Sequence, residues 1–123
     1  MHRVIYQLLK SLTQEDKKTA GVYLDFVEDS SIDSDKSYIV YSLQSSNPKY
    51  DFEYSRDIYQ VSVYSACLEH ALSLQKKIGK FFNSLKRKID NIEICGCDIS
   101  NESHNRIEDA YQTITIIEIL YKY

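Results

Sequence analysis

The sequence has little of what most enzymes and nucleotide-binding proteins are built from. Its 123 residues include no tryptophan, one proline and three glycines. Three glycines are too few for a phosphate-binding loop, and the sequence contains neither a Walker loop, nor a G-x-G-x-x-G motif, nor an H-E-x-x-H motif. We therefore expect a protein that is not an enzyme and that needs no cofactor.

Positive charge in excess and long apolar runs are also lacking. The formal net charge is −3 and the isoelectric point is near 5.6, so the chain has no overall basic surface to hold a phosphate backbone. No segment approaches the roughly 20 apolar residues of a membrane helix. Residues 1–10 lack the apolar core of a signal peptide. We expect neither specific DNA binding nor a membrane partner, and synthesis in the cytoplasm.

One basic cluster departs from this pattern. Lys76, Lys77 and Lys80 precede the run Lys86-Arg87-Lys88. The predicted position of the cluster is the solvated face of a helix near its C-terminus, where the helix dipole favours cations. A docking patch is the alternative.

Cysteine is sparse and odd in number, which favours reduced thiols over a disulfide framework. Cys95 and Cys97 stand two residues apart in a predicted strand, so we expect both on one face, without the turn that wraps a metal ion. We predict no metal site, and the sequence assigns these two residues no role. A small metal or thiol enzyme that also uses Cys67 is the alternative.

The spacing of apolar residues predicts one domain, residues 1–123, with the element order α-β-β-β-α-β-β. The fold class is α+β: a mostly antiparallel sheet backed by a long amphipathic helix and a short N-terminal helix. Helices are predicted at residues 2–12 and 68–89, strands at 22–27, 38–43, 56–65, 92–99 and 110–123, and polar turns or loops at 28–36, 45–50 and 100–109.

The last predicted strand is apolar on both faces near its middle. Thr115 and Ile117 point one way, and Ile114 and Ile116 point the other way. A strand with one solvated face would alternate cleanly between apolar and polar residues. The second face therefore needs cover, either from a partner or from the N-terminal helix.

Tyrosine is abundant, with eleven residues, and it is enriched at protein interfaces because it joins a large apolar ring to a polar tip. Half-buried sheets also favour tyrosine, and we assign Tyr23, Tyr41 and Tyr59 to sheet packing. The other candidates for contacts lie on an extended aromatic arm, residues 50–54, and at the C-terminus. The candidate interface residues are Tyr50, Phe52, Tyr54, Arg56, Tyr121 and Tyr123.

In element order and apolar placement the chain resembles the tail terminator and tail completion proteins of long-tailed bacteriophages, including tail-to-head joining proteins. The resemblance covers nearly the whole length and includes no signature motif. It is carried by Leu8-Leu9-Lys10-Ser11-Leu12, by Tyr38-Ile39-Val40-Tyr41, by residues 59–65 leading into a helix with Ala71, Leu72 and Ile78, and by residues 111–116.

This resemblance implies a structural virion protein in the tail or neck, assembled in the host cytoplasm. The expected assembly is a hexameric ring at the head-proximal end of the tail tube, which ends tube polymerisation and joins the tail to the head. The implied partners are the tail tube protein and a head-tail connector or head-completion protein, with DNA passing through the lumen without specific binding. The alternative is a small cytoplasmic module that binds a partner peptide along a free sheet edge.

The aromatic arm gives a first testable prediction. Replacing Phe52 and Tyr54 with serine should leave a folded monomer that does not form the ring, because the apolar contacts of the arm are lost. Size-exclusion chromatography with light scattering measures this. Persistence of rings in the double variant would show that the arm is not the interface.

Overall fold

The computed structural model describes residues 1–14, 19–25, 37–48, 54–107 and 110–122. Within these ranges the predicted element order is confirmed, with one additional short strand. No helix in the described ranges is long and apolar enough to cross a membrane. The elements are α1 (His2–Thr13), β1 (Thr19–Leu24), β2 (Ser37–Pro48), β3 (Ser55–Ser65), α2 (Leu68–Phe82), β4 (Arg87–Ile89), β5 (Ile92–Ile107) and β6 (Ala110–Lys122).

The strands form one sheet in the order β1-β2-β3-β6-β5-β4. Only β1 and β2 pair in parallel, and every other neighbouring pair is antiparallel. The predicted α+β class with a mostly antiparallel sheet is therefore confirmed. β6 lies between β3 and β5 and pairs with both along most of its length.

Both helices pack on the same face of the sheet. Val4, Ile5, Leu8 and Leu9 form the buried stripe of α1, at the spacing of one helix face. α1 is also tied to the sheet at its first residue: the Tyr41 hydroxyl donates to the His2 carbonyl at 3.5 Å, and the His2 ring lies edge-on to the Tyr59 ring. The core residues on α2 and the central strands are Ala71, Leu74, Ile78, Phe82, Ile39, Tyr41, Tyr59, Val61, Val63, Ile117, Ile119 and Tyr121.

The predicted helix over residues 68–89 is too long, because α2 ends at Phe82. The Asn83 backbone is extended, and Ser84 has a φ angle of 61°, which turns the chain out of the helix. The Ser84 N–H then donates to the Cys97 carbonyl on β5 at 2.8 Å. Leu85 and Ile89 still pack against the core. The apolar spacing therefore continues beyond the end of the helix, and for this reason the predicted end is wrong.

The basic run at residues 86–88 is consequently not helical. Arg87 and Lys88 lie on β4, a three-residue strand at the edge of the sheet, and both are exposed. Arg87 places its guanidinium 5.6 Å from the centre of the Phe81 ring. Short, charged strands are a common way to blunt a sheet edge.

Two polar segments predicted as turns or loops are strands where the structure describes them. β2 continues to Pro48, with a register shift between Leu43 and Ser45, and β5 continues through residues 100–107. The residues of β5 beyond Ser100 are exposed, so their composition is that of a loop, whereas pairing with β6 holds their backbone as a strand. β1 also differs: it begins at Thr19 and ends at Leu24, where Asp25 has a φ angle of 65°.

A buried polar contact connects the ends of three strands. The Asp57 carboxylate is buried and accepts hydrogen bonds from the Ser46 hydroxyl at 2.5 Å and from the Tyr121 hydroxyl at 3.1 Å. Hydroxyl donors on both carboxylate oxygens offset the cost of removing Asp57 from water. This contact fixes β2, β3 and β6 relative to one another.

Adjacent isoleucines on β6 test which face is the core. Ile117→Ala should lower the free energy of unfolding by about 3 kcal/mol, because Ile117 is 0% exposed and its removal leaves a cavity. Ile116→Ala, on the opposite face, should cost no more than about 1 kcal/mol, the range of strand propensity. Urea denaturation of both variants measures the difference, and equal losses would contradict the assignment of faces.

Candidate assembly surface

The second face of the sheet is not covered by either helix. On β6, and on β3 apart from the buried Ser62, buried residues alternate with half-buried ones that point away from the helices. We call this surface the open face. Its apolar centre consists of Ile58 on β3 and Ile114, Ile116 and Leu120 on β6, all half-buried.

The position of α1 excludes one of the two sources of cover that the sequence left open for Ile114 and Ile116. α1 packs beside α2 on the helical face, through His2, Tyr41 and Tyr59. It therefore does not cover these isoleucines. Cover from a partner stays a prediction.

Polar contacts between strands flank the apolar centre. The Arg56 Nε donates to Glu118 Oε1 at 2.5 Å across β3 and β6, and this hydrogen bond, together with the charge of Glu118, raises the pKa of Arg56. The Gln112 amide donates to the Tyr64 hydroxyl at 2.9 Å. Cross-strand pairs of this kind hold side chains in fixed positions on the sheet surface. The open face thus has an apolar middle and an ordered polar border, the usual composition of a protein–protein contact.

The predicted interface residues fall in different places. Arg56 lies on the open face, in the ion pair with Glu118. Tyr54 is half-buried, with the Lys122 ammonium 5.7 Å from the centre of its ring. Tyr121 is instead part of the core, 5% exposed, with its hydroxyl on Asp57. Tyr50, Phe52 and Tyr123 lie outside the described residues. The interface assignment of Tyr54 and Arg56 stays a prediction.

The residues predicted as contacts are mostly tyrosines and leave out the aliphatic side chains of the open face. The signal that could have identified them is the unusual pattern of β6, which is apolar on both faces. Ile114 and Ile116 show this pattern, and Ile58 joins them because β3 pairs with β6 so that Ile58 is opposite Glu118. The register between β3 and β6 is set when the strands pair, and the sequence of β3 alone does not show it.

The two neighbouring cysteines do not share a face, contrary to prediction. A register shift between Ile94 and Gly96 leaves Cys95 as the extra residue of a β-bulge, half-buried at the surface. Cys97 points into the core. Within the described ranges, no group of three or more His, Cys, Asp and Glu side chains could hold a metal ion.

A serine–histidine pair that the sequence did not suggest lies between β2 and α2. The Ser37 hydroxyl is hydrogen-bonded to Nδ1 of His70, at the start of both elements. Ser37 is 1% exposed, so its oxygen is not accessible to a substrate. We interpret the pair as a structural link that fixes the first turn of α2 against the sheet.

The fold is shared with a chain of a gene transfer agent particle. A chain of a solved structure described as the virion of a native gene transfer agent (GTA) particle superposes with a TM-score of 0.69. The alignment covers 97% of this chain and 92% of that chain, at 14% sequence identity. At this identity the similarity establishes the fold. No protein-family model matches the sequence, and no curated protein matches it.

The thiols give a prediction about accessibility. Burial raises the pKa of Cys97 to about 12, so this thiol should stay protonated and unreactive at pH 8, because the thiolate is the reactive form. Cys67 is exposed and should react fastest with a disulfide reagent, and the half-buried Cys95 should follow. Counting reacted thiols before and after adding denaturant measures this. In a Cys97→Ala variant the two counts should be equal, and rapid reaction of all three native thiols would contradict the burial of Cys97.

Proposed function

We propose that this chain is a structural virion protein that forms a ring at the head-proximal end of a phage tail tube, where it ends tube polymerisation and joins the tail to the head connector. The observation that carries the proposal is an open, apolar sheet face on a fold shared with a protein of a GTA virion particle. The proposed role is geometric and uses no cofactor.

The open face supports an assembly role for physical reasons. A sheet paired on both sides of β6 is rigid, so the side chains of Ile114 and Ile116 are presented without an entropic cost of ordering a loop. Covering them removes apolar surface from water, which contributes about 25 cal/mol for each Å². Polar border residues, such as the Arg56–Glu118 pair, then favour one orientation of the partner over others.

In the proposed assembly, copies join side by side by heterologous contacts that close into a hexameric ring. One surface of the ring binds the last subunits of the tail tube protein, and the opposite surface binds the head-tail connector or a head-completion protein. DNA passes through the lumen without specific binding, in line with the acidic balance of the whole chain. The tail or neck of the virion is the proposed location.

One observation favours the alternative of a peptide-binding module. β5 pairs with β4 only through Ile92–Ile94, so within the described ranges its outer side has no strand partner beyond Ile94. A free edge of that length can accept an extended peptide. Oligomeric state distinguishes the two functions, since the module acts as a monomer.

The first experiment measures the mass of the purified chain in solution by light scattering over a dilution series, with negative-stain imaging for annular particles. Hexamer-sized rings support the proposal. If the chain is monomeric, it is next mixed with tail tubes and sedimented. Co-sedimentation, with the chain at one tube end in images, supports the proposal, and a monomer that does not bind tubes overturns it.

A double variant of the open face tests the surface itself. Ile114→Thr with Ile116→Thr keeps the β-branched shape that strands favour while removing apolar area, so the fold should persist and assembly or tube binding should weaken by about tenfold or more. Leu43→Thr is the matched control, because it removes an exposed apolar side chain outside the open face. Unchanged assembly in the double variant, with circular dichroism equal to that of the parent, would exclude the open face as the contact.

A further inference from the structure

The second half of β5 is a strand with an open outer edge. Residues 101–107, which we call the edge segment, are all exposed, although they pair with β6 on their inner side. β4 pairs only with residues 92–94, so in the described part of the chain the outer edge of β5 beyond Ile94 has no strand partner. Unpaired backbone N–H and C=O groups on such an edge favour the addition of another strand. The sheet can therefore be extended at the edge segment.

The edge segment is free of bulges and has His104 at its centre. The register with β6 shifts between Ile99 and Asn101, and from Asn101 to Ile107 each residue is opposite one residue of β6. A regular strand can pair over its whole length, here about 23 Å at roughly 3.3 Å for each residue. When such a segment pairs antiparallel with a copy of itself, the two-fold axis passes through its middle residue. That residue is His104.

Two opposite charges lie at equal distances from this centre. Glu102 precedes His104 by two residues, and Arg106 follows it by two. Both lie on the face of the sheet that carries the helices, since Glu102 is opposite the buried Thr115 and its carboxylate lies close to Gly79 of α2. Within the described ranges neither charged side chain forms an ion pair. Pairing about His104 would place Glu102 of each copy opposite Arg106 of the other.

The other face of the edge segment is also compatible with itself. Side chains alternate along a strand, so Ser103 and Asn105 point away from the helices. In the same register Ser103 of one copy is opposite Asn105 of the other, and each can both donate and accept a hydrogen bond. The outermost pair, Asn101 with Ile107, is uncharged. No like charges oppose each other within the edge segment.

Neighbouring registers lack this match. Moving the axis one residue towards the end of β5 would place Arg106 opposite His104 and leave Glu102 with no partner residue in β5. Moving the axis one residue the other way would place Arg106 opposite Ser100, at the shift in register. The axis at His104 is the one that pairs both charges.

The rest of the molecule leaves room for this pairing. In the register centred on His104, the edge segment of the second copy ends opposite Asn101 and does not reach the part of β5 that β4 covers. Opposite residues of paired strands lie on the same face of a sheet. The helices of both copies would therefore lie on one side of a continuous sheet, and both open faces would lie on the other side.

We propose that the edge segment pairs antiparallel with the edge segment of a second copy, about a two-fold axis at His104, with Glu102 of each copy opposite Arg106 of the other. A two-fold contact of this kind closes after two copies, so it differs from the heterologous contacts of the proposed ring and goes beyond the proposed function. It covers the edge that a peptide would use in the alternative function, and it leaves both open faces exposed.

Charge reversal tests the pairing. Glu102→Arg and Arg106→Glu should each raise the dissociation constant of the dimer by about tenfold or more, because both attractive pairs become repulsive. Combining the two substitutions restores opposite charges and should recover the affinity of the parent. Arg3→Glu, at an exposed position on α1, controls for net charge and should leave the dimer unchanged. Sedimentation velocity over a concentration series measures association, and circular dichroism shows that each variant is folded.

Mixing the two single variants tests the two-fold symmetry. In a mixed dimer of Glu102→Arg with Arg106→Glu, each pair again joins an acid to an arginine, so mixed dimers should form with the affinity of the parent. Glu102→Arg mixed with Arg3→Glu has the same net charges but only one attractive pair, and it should bind more weakly. A fluorescent label on one variant measures binding to the other.

Cross-linking locates the axis. In a background in which the native cysteines are replaced, His104→Cys with a short bismaleimide should give a dimer, because residue 104 of one copy faces residue 104 of the other. Asn101→Cys is the control and should not cross-link to its equivalent, which lies opposite Ile107 at the far end of the edge segment. The product should stop at two copies.

The outcomes separate this inference from the proposed function. A parent chain that is monomeric at every concentration, reversals without effect, or a lack of mixed dimers would overturn the pairing of β5. Rings that form without cross-linking at residue 104 also overturn it and leave the ring protein standing. Dimers that cross-link at residue 104, in a chain that neither forms rings nor binds tail tubes, support the pairing and overturn the proposed function.

Discussion

The fold depends on the pairing of β6 with strands on both sides. β3 and β5 hydrogen-bond to it along nearly its whole length, and its inward residues, Ile117 and Ile119 among them, are fully buried under α2. Because side chains alternate along a strand, fixing the inward face also fixes which residues point outward. The rigid placement of Ile114 and Ile116 on the open face is therefore a consequence of the core that forms behind them.

This coupling explains which parts of the structure the sequence could predict. Elements with strong apolar periodicity, such as α1 and β6, were predicted to within a few residues because burial alone sets their pattern. The end of α2 was misplaced because Leu85 and Ile89 remain at apolar spacing although they contact the core from outside the helix. Residues 100–107 were predicted as a loop because their polarity reflects exposure, whereas their strand conformation comes from β6.

The candidate site was predictable only in part, for a related reason. A surface for contacts needs residues from several strands in register, and register is set by pairing, which a single sequence does not display. Tyr121 illustrates the difficulty. Tyrosine is a residue type that suits an interface, but Tyr121 lies on the inward face of β6 and its hydroxyl donates to the buried Asp57 carboxylate, so it belongs to the core. Conversely, no sequence pattern distinguishes Ile58, and it belongs to the open face because β3 pairs with β6.

Net charge likewise conceals an arrangement that topology makes visible. Summed over the chain, the charges indicate mild acidity, yet the structure exposes Lys76, Lys77 and Lys80 on α2 and Arg87 and Lys88 on β4, the short strand at one edge of the sheet. Under the proposed function, a ring protein holds its neighbours and also binds a tube, and a single sheet with helices on one side offers an open face and strand edges for these two kinds of contact.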